Sequence, residues 1–266
     1  MNFIRIYAIF IRQMFLFRHN FIRLFSIFLW VGLDIIIWGF LTRYLNLIGK
    51  SGFSFVPVLL GAVVFWNFLV HSQQGVMRPF LEDVWARNFI NIFGSPLTIK
   101  EYAFGLILSS IVTSAAGLFV MVSLAGIFFG YTFFKLGLLL LPFLFILSLS
   151  GLALGIFTVA LVLRFGPSVE WLAWPIPFIV SPLAGVFYPI SVLPKFLQII
   201  SRIVPPSYVF EGMRSVIFTG KLSLFSLGIG GVLALVYLVI MYFFFVYVYR
   251  IVLRKGLIAR FTAEDI

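Results

Sequence analysis

The sequence contains no cysteine and very few charged residues. Without cysteine it has no disulfide, no thiolate metal ligand and no cysteine nucleophile. Charged residues make up 10% of its 266 residues and hydrophobic residues 63%, a composition that excludes a water-soluble domain of this length. Gly-x-Ser-x-Gly and His-Glu-x-x-His motifs are absent, and Gly49–Lys50–Ser51 is no phosphate-binding loop, because Tyr44 stands where that loop needs glycine. The chain therefore offers no catalytic set and no ATP site of its own.

Long apolar runs occupy most of the chain instead. Several exceed the roughly 18 residues that cross a hydrocarbon core, so we predict an all-α integral membrane protein with six transmembrane helices in a single domain, 1–266. The net charge of +11 suggests binding to nucleic acid. Lys and Arg, however, lie mainly at the ends of apolar runs, where they meet lipid headgroups. The predicted spans are residues 24–42, 56–77, 102–129, 136–163, 171–189 and 224–249.

Residues 2–23 precede the first span and predict an amphipathic helix in the membrane interface. Asn2, Arg5, Arg12 and Gln13 fall on one side at helical spacing, and residues such as Ile4 fall on the other. The alternative, a signal peptide, is disfavoured because arginine interrupts every possible apolar core and no small-residue cleavage site follows.

Polar residues at helical spacing mark the first two spans. Ionisable groups within spans face the bundle interior or a watery cavity, so we expect these residues to line a substrate path or a contact between subunits. The alternative is hydrogen bonding between neighbouring helices. The first span carries Trp30, Asp34 and Trp38, and the second carries Asn67, His71, Gln74 and Arg78 at spacings of four, three and four.

Small residues in the third and fourth spans predict close helix packing. They are Ser110, Ser114 and Gly117 in the third span, and Gly151 and Gly155 in the fourth.

The loop between the second and third spans is the most polar internal segment. We predict a short amphipathic helix over 79–93 that starts after Pro79 and is ended by Gly94–Ser95–Pro96. Such a helix suits insertion into a groove of a partner, and the alternative is an ordinary interfacial connector. Its polar residues are Glu82, Asp83 and Arg87, and its apolar side carries Val84, Trp85, Phe89, Ile92 and Phe93.

The stretch from Trp171 to Arg214 contains too many prolines for a simple span. Broken helices at membrane depth are tolerated only where protein or a cavity satisfies the freed backbone groups. We predict that the fifth span is followed by a re-entrant helical hairpin over 190–222, in which Glu211 and Arg214 are spaced to pair on one helix face. Its other marked residues are Pro189, Pro194, Pro205 and Tyr208.

The distribution of basic residues predicts the orientation. With both termini in the cytoplasm, twelve of the 19 Lys and Arg residues lie inside and seven outside. This places the 79–98 loop inside and the 190–222 segment outside.

Two segments resemble signatures of ABC-2 type transporter permeases. In that family the first cytoplasmic loop holds a coupling helix, a small residue followed by proline, and Glu-Tyr at the start of the third span; Ser95–Pro96 and Glu101–Tyr102 match this order. The second signature runs from a Gly-x-x-aromatic-Pro step through Leu-Pro to Pro-x-x-Tyr-x-x-Glu-x-x-Arg. Its matches here are Gly185, Pro189, Leu193–Pro194, Pro205, Tyr208, Glu211 and Arg214.

The resemblance implies the permease subunit of an exporter in a bacterial cytoplasmic membrane. A second copy, or a close homologue, would pair with this chain, and two separate ABC ATPase subunits would bind ATP and Mg²⁺. The substrate would be a lipid-linked glycan, a lipid or a drug-like amphiphile. The alternative function is a secondary transporter or channel without an ATPase. The coupling residues implied are Glu82, Asp83, Trp85, Arg87 and Phe89.

Overall fold

The computed structural model describes residues 1–19, 21–48, 56–130, 137–138 and 140–257. Within these residues the chain is helical and contains no strand. Two 3-10 turns, Pro167–Val169 and Ile190–Val192, interrupt the second half. The helices are α1 Phe3–His19, α2 Phe21–Ile48, α3 Val56–Trp85, α4 Phe89–Gly94, α5 Ile99–Phe129, α6 Leu140–Phe165, α7 Glu170–Ala173, α8 Ile176–Ala184, α9 Lys195–Ser201, α10 Pro205–Thr219 and α11 Leu224–Arg254.

Four of these helices are long and apolar enough to cross a membrane. They comprise Leu29–Ile48 of α2 and the whole of α5, α6 and α11. This confirms an all-helical membrane protein, whereas the count of six spans stays a prediction. The first residue of the predicted fourth span, 136, lies outside the described residues.

Helix α3 lies at the centre of the bundle, between α5 and α6, and α6 also packs against α11. Small residues allow this close approach. The Ser110 hydroxyl donates to the Ser72 carbonyl at 2.7 Å, and a Cβ added at Gly151 would lie 2.5 Å from the Leu69 carbonyl oxygen. The predicted close packing is therefore confirmed at Ser110, Gly151 and Gly155, whereas a Cβ at Gly117 would meet its neighbours at ordinary contact distance.

The helix expected to begin after Pro79 is not a separate helix, and this boundary of the 79–93 prediction was wrong. Helix α3 continues through Pro79 as far as Trp85, and a turn then leads to α4. A proline inside a helix removes one hydrogen bond and costs about 3 kcal/mol. Met77, Phe80 and Leu81 are fully buried around that position, so their packing offsets the loss.

The fifth predicted span, 171–189, is not one continuous helix. It consists of α7 and α8, separated at Trp174–Pro175, and Gly185 ends α8 in the left-handed conformation with φ 61°. Nine residues in α8 extend about 14 Å, less than half of a hydrocarbon core. The prolines therefore divide the stretch, as their number suggested.

Helix α1 packs mainly against α5. Ile6, Ile9 and Gln13 are buried in this contact, whereas Ile4 remains exposed. Gln13 lies on the polar side of the predicted helix and is nevertheless 0% exposed. Part of the polar side of α1 therefore faces protein, where Arg12 meets Asp83 of α3 and Arg5 lies near Glu101 of α5.

Candidate functional site

A cavity of about 450 Å³ lies between α2, α3 and the α7–α8 segment; we call it the α2–α3 cavity. It collects the predicted path residues from helices that are distant in sequence. Trp38 lies elsewhere and stacks on Phe187, with ring centroids 4.5 Å apart. The residues that line the cavity are Trp30, Val31, Asp34, Asn67, Val70, His71, Gln74, Arg78, Trp174 and Phe178.

Opposite charges stand at the two ends of this cavity. Asp34 of α2 and Asn67 of α3 both line it. Arg78 lies eleven residues further along α3, about 16 Å by helical rise, with its guanidinium 5.2 Å from the centre of the Trp174 ring. The polar stripe predicted on the second span thus forms one wall of the cavity.

The segment from Pro79 to Gly94, here called the 79–94 segment, contains a buried carboxylate in its first half, at Asp83. Asp83 is only 1% exposed. Arg12 of α1 donates to both of its oxygens, and the hydroxyl of Tyr102 on α5 donates to Oδ2 at 2.8 Å. The hydrogen bond to Asp83 is also the largest cause of the raised pKa of Arg12. Three helices therefore meet at one carboxylate.

A second cluster joins α1 to the first turn of α5. Thr98 and Glu101 form a capping box, in which each side chain accepts a hydrogen bond from the backbone N–H of the other. The backbone N–H of Asn2 donates to Glu101 Oε1 at 2.7 Å, and the Arg5 guanidinium lies 3.6 Å from Oε2. The N-terminal helix is thus held at both clusters.

The short helix α7 is attached to α3 through three side chains. The Trp85 indole N–H donates to the carboxylate of Glu170 at 2.6 Å. The amide of Gln73 donates to the Ala173 carbonyl at 3.2 Å, and Arg78 lies over Trp174. The end of α3 is therefore connected to the wall of the α2–α3 cavity.

Within the 79–94 segment, residues 86–88 form the turn between α3 and α4. Arg87 has a positive φ of 51°, and the N–H groups of Arg87 and Asn88 donate to the carbonyls of Val84 and Asp83. This pattern is that of a Schellman motif, in which glycine is usual. Glu82 is half-buried. The side chain of Phe89 lies outside the described part of the chain.

The 190–222 segment contains α9 and α10, joined by a short turn. Glu211 accepts from the Ile190 backbone N–H at 2.7 Å and from Arg214 at 3.0 Å, so the predicted pair on one helix face is confirmed. Arg214 is buried and also donates to the Val186 carbonyl at 3.3 Å. The pair therefore ties α10 to the end of α8.

The other marked residues of this segment lie at its turns. Pro194 precedes α9 and Pro205 begins α10. Pro189 precedes a 3-10 turn, and the Tyr208 hydroxyl donates to the Arg202 carbonyl at 2.7 Å. Re-entry of this segment into the bilayer stays a prediction.

Sequence reasoning missed the distant partners of two carboxylates, Asp83 and Glu170. Arg12 and Asp83 are separated by 71 residues, and Trp85 and Glu170 by 85, so no local pattern connects them. A signal did exist for Glu101, because Thr-x-x-Glu before an apolar run is the pattern of a capping box.

Comparison with known proteins agrees with this architecture. The family model described as ABC-2 type transporter matches residues 5–218. Two similar proteins are called inner membrane transport permease YadH, from Escherichia coli strain K12 and from Shigella flexneri. Each is 26% identical to this chain over 185 residues, which cover 64% of this chain and 67% of the relative. The family model spans the 79–94 segment, the α2–α3 cavity and α10 as far as residue 218, and the chain belongs to the ABC-2 type transporter family.

Proposed function

We propose that this chain is the permease subunit of an ATP-driven exporter in a bacterial inner membrane. The family match and the name of the YadH relatives support transport and this location. In this proposal two permeases, either identical or closely related, form the substrate path. Two separate ATPase subunits, which bind ATP and Mg²⁺, dock at the 79–94 segment. Both termini of the chain lie in the cytoplasm. The substrate is an amphiphile, among which we include lipid-linked glycans, lipids and drug-like molecules.

The observation that carries the proposal is the connection between the 79–94 segment and the α2–α3 cavity. Trp85 binds Glu170 at the start of α7, and Arg78 lies over Trp174 in the cavity wall. A displacement of the end of α3 by an ATPase would therefore move α7 together with it. Arg12 and Tyr102 hold Asp83 from two other helices, so the same displacement would reach α1 and α5.

The 190–222 segment has the complementary role in this proposal. It covers the exit side of the path, and the contact between Glu211 and Arg214 holds α10 against the end of α8. Substrate would leave when that segment shifts. The pair has a structural role in the resting state, because Arg214 is buried and needs an anionic partner.

Co-expression with a candidate ABC ATPase tests the partner. We expect a stable complex whose ATP hydrolysis depends on this chain. Charge reversal at two positions, Glu82→Lys together with Arg87→Glu, should leave assembly intact and separate hydrolysis from transport. Lys255→Glu, a charge reversal at an exposed residue outside both the 79–94 and the 190–222 segments, is the control. Failure of every ATPase to bind would overturn the proposal and favour a secondary transporter.

The connection itself is tested with Trp85→Phe, which removes the indole N–H but keeps an aromatic ring. We expect the ATP hydrolysed per substrate transported to rise, because α7 then follows α3 less closely. Glu170→Gln keeps an acceptor oxygen for the indole and should change this ratio less. Equal ratios in the wild type and Trp85→Phe would argue against this coupling route.

A further inference from the structure

The end of the α2–α3 cavity that holds Asp34 has the chemistry of a cation site. Trp30 lies one helical turn before Asp34, on the same face of α2. Phe178 of α8 lines the same cavity. The two aromatic side chains are 64% and 60% exposed. A carboxylate beside exposed aromatic rings attracts cations both through its charge and through the electron-rich ring faces.

Asp34 has no cationic partner among the residues that the structure describes. Asn67 lines the same cavity, and its amide nitrogen donates to the Val63 carbonyl at 3.0 Å. Arg78, which lines the same cavity, comes eleven residues after Asn67 on α3, and its guanidinium lies over the Trp174 ring. A carboxylate at membrane depth is costly unless it is paired or hydrated.

We propose that the α2–α3 cavity takes amphiphiles with a cationic headgroup, and that Asp34 is the counter-ion. This inference rests on the proposed function, and it narrows the substrate to organic cations such as ammonium- or phosphonium-bearing molecules. A volume of about 450 Å³ holds such a headgroup and its nearest apolar substituents. The apolar remainder would extend past Trp30 and Phe178, the exposed side of the cavity.

Two other headgroups fit this geometry less well. A glycan without a charge could hydrogen-bond to Asp34 and Asn67, but it would leave the charge of Asp34 without a counter-ion. An anionic headgroup would meet Asp34 at one end, and at the other it would have to compete with the Trp174 ring for Arg78. A cationic headgroup, by contrast, would pair with the Asp34 carboxylate, which has no cationic partner among the described residues.

Tetraphenylphosphonium and tetraphenylborate test this proposal, because they share shape and size and differ in the sign of their charge. The full chain in phosphatidylcholine nanodiscs is titrated with each ion, and empty nanodiscs correct for partitioning. We expect saturable binding of the phosphonium only. Asp34→Asn, which keeps the shape and removes the charge, should weaken that binding at least tenfold, and Asp34→Glu should retain most of it.

The matched control is Glu82→Gln, which removes a carboxylate outside the cavity; its proposed role is at the ATPase, which this assay does not contain, so phosphonium binding should be unchanged. Thermal unfolding of each variant shows whether it is folded. Equal binding of both ions, or undiminished phosphonium binding to folded Asp34→Asn, would overturn the proposal. This assay needs no ATPase, so the cation site can fail while the exporter assignment stands, and the reverse outcome is equally distinguishable.

Discussion

Replacing Arg12 with Met takes away the cation that is paired with buried Asp83. The guanidinium donates to both carboxylate oxygens, and without it Asp83 keeps one hydrogen bond, from Tyr102. Removing one partner of a fully buried pair costs about 3–5 kcal/mol. The Arg12 side chain is 32% exposed, which reduces the value, so we expect a cost of about 2–3 kcal/mol.

We expect this loss of stability to be confined to the region around α1. Met keeps most of the apolar stem, so α1 should remain helical while its contact with α3 and α5 weakens. Amide hydrogen exchange of the full chain in nanodiscs measures this directly. A cost of about 2 kcal/mol corresponds to roughly 30-fold faster exchange in α1, with little change in the central part of α6.

Arg18→Met on the same helix is the matched control, because Arg18 is exposed and its loss should change exchange little. The double variant Arg12→Met with Asp83→Leu should recover much of the lost protection, since no buried charge is then left unpaired. If the amides of α1 exchange at the same rate in Arg12→Met and Arg18→Met, the buried pair does not hold this helix and the reasoning is refuted.

Three further substitutions test packing and backbone geometry. Gly151→Ala places a Cβ 2.5 Å from a backbone oxygen of α3 and should lower the free energy of unfolding by about 1–3 kcal/mol, measured by denaturant titration. The control is Gly228→Ala, where the added Cβ meets open space, and it should be neutral or stabilising. Tyr102→Phe deletes the hydroxyl bound to Asp83 and should cost about 1.5–3 kcal/mol; an unchanged thermal midpoint would contradict that bond. Gly185→Ala introduces a side chain at φ 61° and should cost about 1–2 kcal/mol, measured by the same titration.

Periodicity and proline placement predicted much of the helical framework. The apolar run of 102–129 appears as Ile99–Phe129, and that of 224–249 as Leu224–Arg254. These assignments succeed because length and hydropathy are local properties. Pro79 misled the same reasoning, because a proline usually marks a helix boundary but here lies in a helix whose packing against its neighbours continues.

Part of the candidate site was also open to sequence reasoning. Asp34 and His71 were marked because polar residues within apolar runs are costly, and the spacing of Glu211 and Arg214 predicted their pair. The partners of Asp83 and Trp85 could not be found in this way, since Arg12 and Glu170 lie far away in the chain. Such contacts depend on how the helices are arranged.

The sequence by itself determined that the chain is a helical membrane protein, which residues interrupt its apolar runs, and which family its two signature segments resemble. These properties follow from composition and from spacing along one helix. Only the tertiary structure decided that Asp34 and Asn67 share a cavity, that α1 is held through Asp83, and that α3 is attached to α7 through Trp85. The packing of helices brings these groups together, and the spacing of residues along one helix does not reveal that arrangement.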